Sequence, residues 1–121
     1  MRDYKKFTVW TRSHELTMKV YQEIAPCFPE SERHGLTRQI RRAAYSIPFN
    51  ISQGCTRNSE DDFTHYLEIS LGSAHALAYG LLLAKDLSFI SEEQYSTLNE
   101  KINAIKAMII NLIQKIRSEA M

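Results

Sequence analysis

The stretch SEEQYSTLNEKINAIKAMIINLIQKI, residues 91–116, decides the fold class. It opens on Ser91-Glu92-Glu93-Gln94, the pattern of a reciprocal helix cap in which Ser91 and Gln94 each satisfy the other's backbone donor. Tyr95, Leu98, Ile102, Ile105, Ile109, Leu112 and Ile116 then recur at alternating steps of three and four, the seam of one helix face. Upstream, Ser59 precedes Glu60-Asp61-Asp62, acids that suit the positive end of a helix. Phe63, Leu67, Ser70, Ala74, Leu77, Leu81 and Ala84 follow with the same spacing. Two further segments complete the pattern. Leu36, Ile40, Ala43, Ala44, Ile47 and Ile51 share a face of one, and Leu16, Val20 and Ile24 share a face of the other.

Pro26 and Pro29, then Gly54 to Ser59, then Asp86 to Ser91, punctuate the chain. The reading is an all-α, antiparallel up-and-down four-helix bundle with helices over about 11–26, 31–53, 59–87 and 91–118. Pro48 lies inside the second segment, removes one backbone donor and predicts a kink there. One domain over residues 1–121 suits the length. Gly 4 and Pro 3 are too few for an all-β protein or a disordered linker. Lys+Arg 15 against Asp+Glu 14 excludes a polycation but leaves room for a local basic patch.

Several function classes are left without a motif. There is no Gly-rich phosphate loop, no nucleophile elbow and no HExxH metal motif. Of His14, His34, His65 and His75, only Asp62-Phe63-Thr64-His65 approaches a di-iron ligand pattern, with the wrong acid and no second copy. Cys27 and Cys55 form neither a disulfide framework nor a CxxC site. Cys55 stands beside Arg57, which would lower a thiol pKa, but it reads as an ordinary thiol. The expectation is a non-enzymatic protein with no cofactor, no metal and no small-molecule substrate. The start of the chain has no signal-peptide pattern, and the most apolar run, residues 76–84, is too short for a membrane span. A cytoplasmic protein with reduced thiols and no membrane partner follows as an expectation.

Two features exceed what a lone bundle needs. The third segment is apolar nearly all round, with Ile69, Gly72, Ala76, Gly80, Leu83 and Leu87 placed opposite the Phe63–Leu81 face. Either an N-terminal arm or a neighbouring subunit would cover it, and Gly72, Ala76 and Gly80 would form the groove a neighbour enters. The second segment carries Arg38, Arg41, Arg42, Tyr45 and Phe49 away from its core face. That composition suits an interface centre or an RNA-stacking surface, and a plain solvated basic face is the bland alternative. Charge is segregated as well. Residues 31–58 hold Arg33, Arg38, Arg41, Arg42 and Arg57 against Glu32, whereas residues 59–70 hold Glu60, Asp61, Asp62 and Glu68 with no Lys or Arg. Salt bridges within the chain, register between subunits, or a phosphate backbone would each answer that asymmetry.

The second segment also carries a resemblance. Arg41-Arg42-Ala43-Ala44-Tyr45-Ser46-Ile47-Pro48-Phe49-Asn50-Ile51, within the run from Leu36 to Gly54, resembles the signature of the bacterial four-helix-bundle proteins encoded in intervening sequences of 23S ribosomal RNA genes. Trp10, His14-Glu15-Leu16, Gly72-Ser73, Leu81-Leu82-Leu83-Ala84 and Ser91-Glu92-Glu93 extend it over nearly the whole chain. The resemblance implies a homopentamer with a central channel. It also implies nucleic-acid binding, by likeness to the pentameric accessory proteins of diversity-generating retroelements. Ala76 and Ala78 stand where the family usually carries acids, and Gln53 stands for a glutamate. Fewer acids leave Arg41 and Arg42 with fewer partners inside the chain. The candidate nucleic-acid contacts are therefore Arg38, Arg41, Arg42 and Arg57. The candidate oligomer contacts are Tyr45, Phe49, Ile69, Gly72, Ala76, Gly80 and Leu83.

Overall fold

The computed structural model describes residues 2–120. Among them are four α-helices and no strand: α1 (Thr8–Lys19), α2 (Leu36–Cys55), α3 (Glu60–Asp86) and α4 (Glu92–Ala120). Each helix packs on the next, and α1 closes onto α4. The diagonal pairs, α1 with α3 and α2 with α4, make no close backbone approach among the described residues. This is the contact pattern of a four-helix ring around one shared core.

Every residue of the expected core face of α3, from Phe63 to Ala84, is buried. On α4 the seam is buried from Leu98 to Ile109 and again at Ile116, with a shift between them. Ile113 is buried while Leu112 is half-buried, because the straight helix advances on a strict heptad and brings the next residue inward. Both expected caps form. Ser59 Oγ accepts from Asp62 N at 3.1 Å. Ser91 N donates to Gln94 Oε1 at 2.8 Å while Gln94 N donates to Ser91 Oγ at 3.0 Å. α3 is, by length and composition, apolar enough to cross a membrane, more than its 76–84 run suggests. One face of it, from Phe63 to Ala84, is buried, while Ile69, Gly72, Ala76 and Leu87 on its other side are exposed.

Two helix starts differ from the sequence expectation. α1 begins at Thr8 rather than near residue 11, because Val9 is buried and Trp10 packs against the core. It then widens into a π turn over Val20–Ile24, which keeps both Val20 and Ile24 buried, and closes with a 3-10 turn, Ala25–Cys27. α2 begins at Leu36 rather than 31. Glu30–Glu32 forms a separate 3-10 turn, and the Glu32 carboxylate accepts from Leu36 N at 2.9 Å. At its far end α2 runs past Gln53 to Cys55. A Cβ on Gly54 would lie 2.9 Å from the Phe63 ring, so glycine lets α3 approach there.

α2 and α3 meet along their length. Gly54 lies against Phe63, Ser70 Oγ donates to Ile47 O at 2.9 Å, Ser46 Oγ bonds Ser73 Oγ at 2.8 Å, and Gly80 lies against Ile40. Pro48 sits buried in the interior of α2. Proline has no N–H to offer the carbonyl four residues back, Ala44 O. The buried Thr17 hydroxyl of α1 approaches that oxygen at 3.0 Å, as well as Ser13 O at 2.8 Å. The polar defect of one helix is thus answered by a side chain of its neighbour.

Candidate functional site

The first turns of α2 carry the site. Arg38, Arg41, Arg42 and Tyr45 project from α2, Arg33 and His34 come from the turn before it, and Tyr21 comes from the π turn of α1. Together they line an open cleft of about 480 Å³ with no acidic residue in its wall. Arg33 has an exposed ion pair with Glu30 at 3.4 Å. No salt bridge among the described residues involves Arg38, Arg41 or Arg42. The Arg41 guanidinium lies over the Tyr21 ring, 5.4 Å from its centroid, and its Nε is buried without a hydrogen-bond partner among the described residues. Tyr21 and Tyr45 are 42% and 44% exposed, so both rings offer surface to the cleft.

Arg38 stands in the first turn of α2, where a cation meets the positive end of the helix dipole. The carboxylate at this helix start, Glu32, accepts from Leu36 N and makes no ion pair with Arg38, Arg41 or Arg42. The acids of α3 do not compensate. The α2–α3 connection sets Glu60, Asp61 and Asp62 beside the C-terminal end of α2, and the arginines lie alongside residues 73–80 instead. Glu60 pairs with Arg2, and Glu68 pairs with Arg117. Among the described residues no salt bridge joins the basic segment 31–58 to the acidic segment 59–70.

Arg57 does not join this cluster. It lies past the other end of α2, about 25 Å along the helix. Its Nη2 donates to Tyr66 Oη at 2.7 Å, and its guanidinium lies over the Tyr66 ring at 4.9 Å. Arg57 clasps the α2–α3 connection to α3, apart from the other three arginines. Cys55 is buried beside it, and burial pushes the thiol pKa up, with Arg2 opposing and Asp3 adding to the rise.

A second concavity adjoins the first. Gln39, Ile40, Arg42, Ala43, Ser46, Ser73, Ala76 and Gly80 line a groove of about 330 Å³ between α2 and α3, so Arg42 borders both spaces. The helical angle of Gly80 puts it in an outer groove for another subunit, and the structure corrects this. Gly80 is buried, and a Cβ there would lie 3.0 Å from Ile40 Cγ2. The missing side chain admits α2 of the same chain. Gly72 has open space around it, Ala76 is exposed, and Leu83 is half-buried. Ile69 on α3 and Phe49 on α2, 40% and 56% exposed, keep their outer surfaces free. The N-terminal arm does not cover them. It crosses the α2–α3 connection, where Arg2 N donates to Cys55 O at 3.0 Å and the Arg2 guanidinium lies over Phe63 at 4.3 Å. Among the described residues no three His, Cys, Asp or Glu side chains gather as a metal site.

Sequence reasoning finds the α2 arginines and Tyr45 but misses Tyr21, Arg33 and His34 as their companions. The excess of arginine in residues 31–58 points to Arg33, but nothing in the local sequence places Tyr21 across from it.

A model of the 23S rRNA-intervening sequence protein family matches residues 5–111. The chain belongs to that family. The match spans α1, α2, α3 and most of α4, and so includes every residue of the arginine cleft. A solved structure from Bacteroides thetaiotaomicron, described as a protein with unknown function from the S23 ribosomal protein family, is similar at 27% identity and a TM-score of 0.81. The similarity covers 88% of this chain and 98% of that one. No curated protein matches the sequence. Neither family description names a reaction.

Proposed function

We propose that this member of the family is a non-enzymatic, self-assembling bundle that binds RNA or DNA through its phosphate backbone at the α2 arginine cleft. The observation that carries the reading is three arginines, Arg38, Arg41 and Arg42, gathered around one cleft on the first two turns of α2 with no ion pair among the described residues. Like charges this close repel one another, and an external anion relieves the repulsion. Arg57 stands outside this set of contacts. The bundle itself is read as a single antiparallel up-and-down unit with α2 bent at Pro48. The paired order of α2 and α3 contacts, Gly54 with Phe63 and Ile40 with Gly80, supports the reversal. The exposed Phe49, Ile69 and Ala76 support a homo-oligomeric contact on the α2–α3 face. Five copies, the number the resemblance implies, give a mass of about 70 kDa from a 14.0 kDa chain.

Light scattering together with a fluorescence-anisotropy titration of labelled RNA, at about 50 and 200 mM salt, tests the proposal. The wild type is expected to be larger than a monomer and to lose affinity steeply with salt. Arg41→Ala/Arg42→Ala should abolish binding at unchanged mass and flatten the salt slope by roughly one unit for each phosphate released. Dissociation of the assembly by the same change would instead make these arginines subunit contacts of a structural module. Wild-type protein that binds no nucleic acid at low salt would end the nucleic-acid reading.

A further inference from the structure

Building on the nucleic-acid reading above, we propose that the α2 cleft selects a single strand over a duplex and seats an unstacked base against Tyr45. Phosphate attraction alone does not discriminate, because a duplex presents the same charge. The aromatic component of the site does. In a duplex the base faces are stacked on one another and unavailable to a protein ring, whereas a single strand offers them. Tyr21 and Tyr45 both border a cleft whose other named walls are Arg33, His34, Arg38, Arg41 and Arg42. The open cleft, about 480 Å³, has room for a nucleotide's base beside its phosphate.

The two tyrosines have different roles. Tyr21 already carries the Arg41 guanidinium over its ring, which holds that fork in place with its Nε buried. Tyr45 takes part in none of the ring–ring or cation–ring contacts found among the described residues. It follows Arg41 and Arg42 by four and three residues, which puts it on the next turn of the same helix surface. Phe49, 56% exposed, follows Tyr45 by a further four. The outer surface of α2 therefore runs from guanidinium groups to aromatic rings, the sequence of contacts that a strand makes when its phosphate is gripped and its bases are splayed.

The experiment compares two labelled probes of about 15 nucleotides per strand, an unstructured oligouridylate and a perfectly paired RNA duplex, by anisotropy at both salt concentrations. The single strand is expected to bind at least ten-fold more tightly. Tyr45→Ala should weaken the single strand roughly five- to hundred-fold and leave the duplex unchanged, while Tyr45→Phe should retain the preference because the ring is kept. Equal wild-type affinities for the two probes would overturn the single-strand proposal and leave the phosphate reading standing; that comparison needs no variant. No binding of either probe would remove both. A Tyr45→Ala protein that keeps full single-strand affinity would also overturn the proposal, and a lowered mass in that variant would assign Tyr45 to a subunit contact.

Discussion

The two ends of α2 treat arginine in opposite ways. At the C-terminal end Arg57 bonds Tyr66 and stacks on it, and Arg2 pairs with Glu60 while lying over Phe63. At the N-terminal end Arg38 and Arg42 have no ion pair among the described residues, and Arg41 has only a tyrosine face. Residue type is the same, and local charge density is higher where partners are fewer. The difference arises from what each end of α2 packs against. Tyr66 of α3 lies beside Arg57, whereas the cleft around Arg38, Arg41 and Arg42 has no acid in its wall. An arginine is structural or available according to which end of α2 it lies at.

The largest expected effect tests how tightly the partnered end is packed. Gly54→Val puts a branched side chain where a Cβ alone would come within 2.9 Å of Phe63. Overpacking of this kind should cost up to ~3 kcal/mol in chemical denaturation. Gly72→Ala, with nothing within 4 Å, should instead stabilise by roughly 0.5–1 kcal/mol through helix propensity. A destabilising Gly72→Ala would mean that this open face is covered in the assembled protein.

Thr17→Val comes next. It removes the hydroxyl that approaches Ala44 O and should cost about 2 kcal/mol for the carbonyl left buried. Pro48→Ala restores a helical N–H to the same oxygen. The Thr17→Val penalty should therefore shrink by more than half in the Pro48→Ala background, and strict additivity in that cycle would refute the account.

Comparing the arginines themselves gives a smaller effect with a sharper meaning. Arg57→Ala should lose about 1.5 kcal/mol, from its bond to Tyr66 and its place over that ring. Arg38→Ala should change stability by no more than ~0.5 kcal/mol, and the sign should be stabilising, because it removes a cation from the positive end of a helix. Equal losses at both positions would erase the distinction between the two ends.

The smallest effect concerns the thiols. Cys27 is exposed and Cys55 is buried with a raised pKa. In the folded protein a maleimide should modify Cys27 quickly and Cys55 only on unfolding. A raised folded pKa keeps Cys55 protonated while the unfolded thiol ionises, so its contribution is intact below the unfolded value and lost as pH rises through the folded one. Cys55→Ala should remove that alkaline slope, and Cys27→Ala should leave it.

Legibility follows the range of the interactions. The α3 core face reads correctly from Phe63 to Ala84, because burial on one side of a helix repeats every three or four residues and needs no knowledge of the partner. The caps at Ser59 and Ser91 are equally local. Gly80 is misplaced by pattern alone because its close partner, Ile40, is forty residues away, and helical angle does not say which neighbour closes over a glycine. The start of α1 reads too late because buried Val9 holds a turn that no capping side chain announces. Half of the candidate site is visible as an arginine excess on α2. Tyr21 is not, since only the π turn of α1 and the packing of α1 on α2 bring it to Arg41.

Periodicity, capping and a specific residue run are each written within one segment, and they suffice for the presence of four helices, the core face of α3 and the family. Which arginines remain without partners is settled only when the chain folds. Arg57 and Arg38 look alike in the chain, and both belong to one basic stretch facing one acidic stretch. A partner has to be near in space, and only packing decides that: Tyr66 lies against Arg57 and makes it a clasp, whereas Arg38, Arg41 and Arg42 surround an open cleft with no acid in its wall.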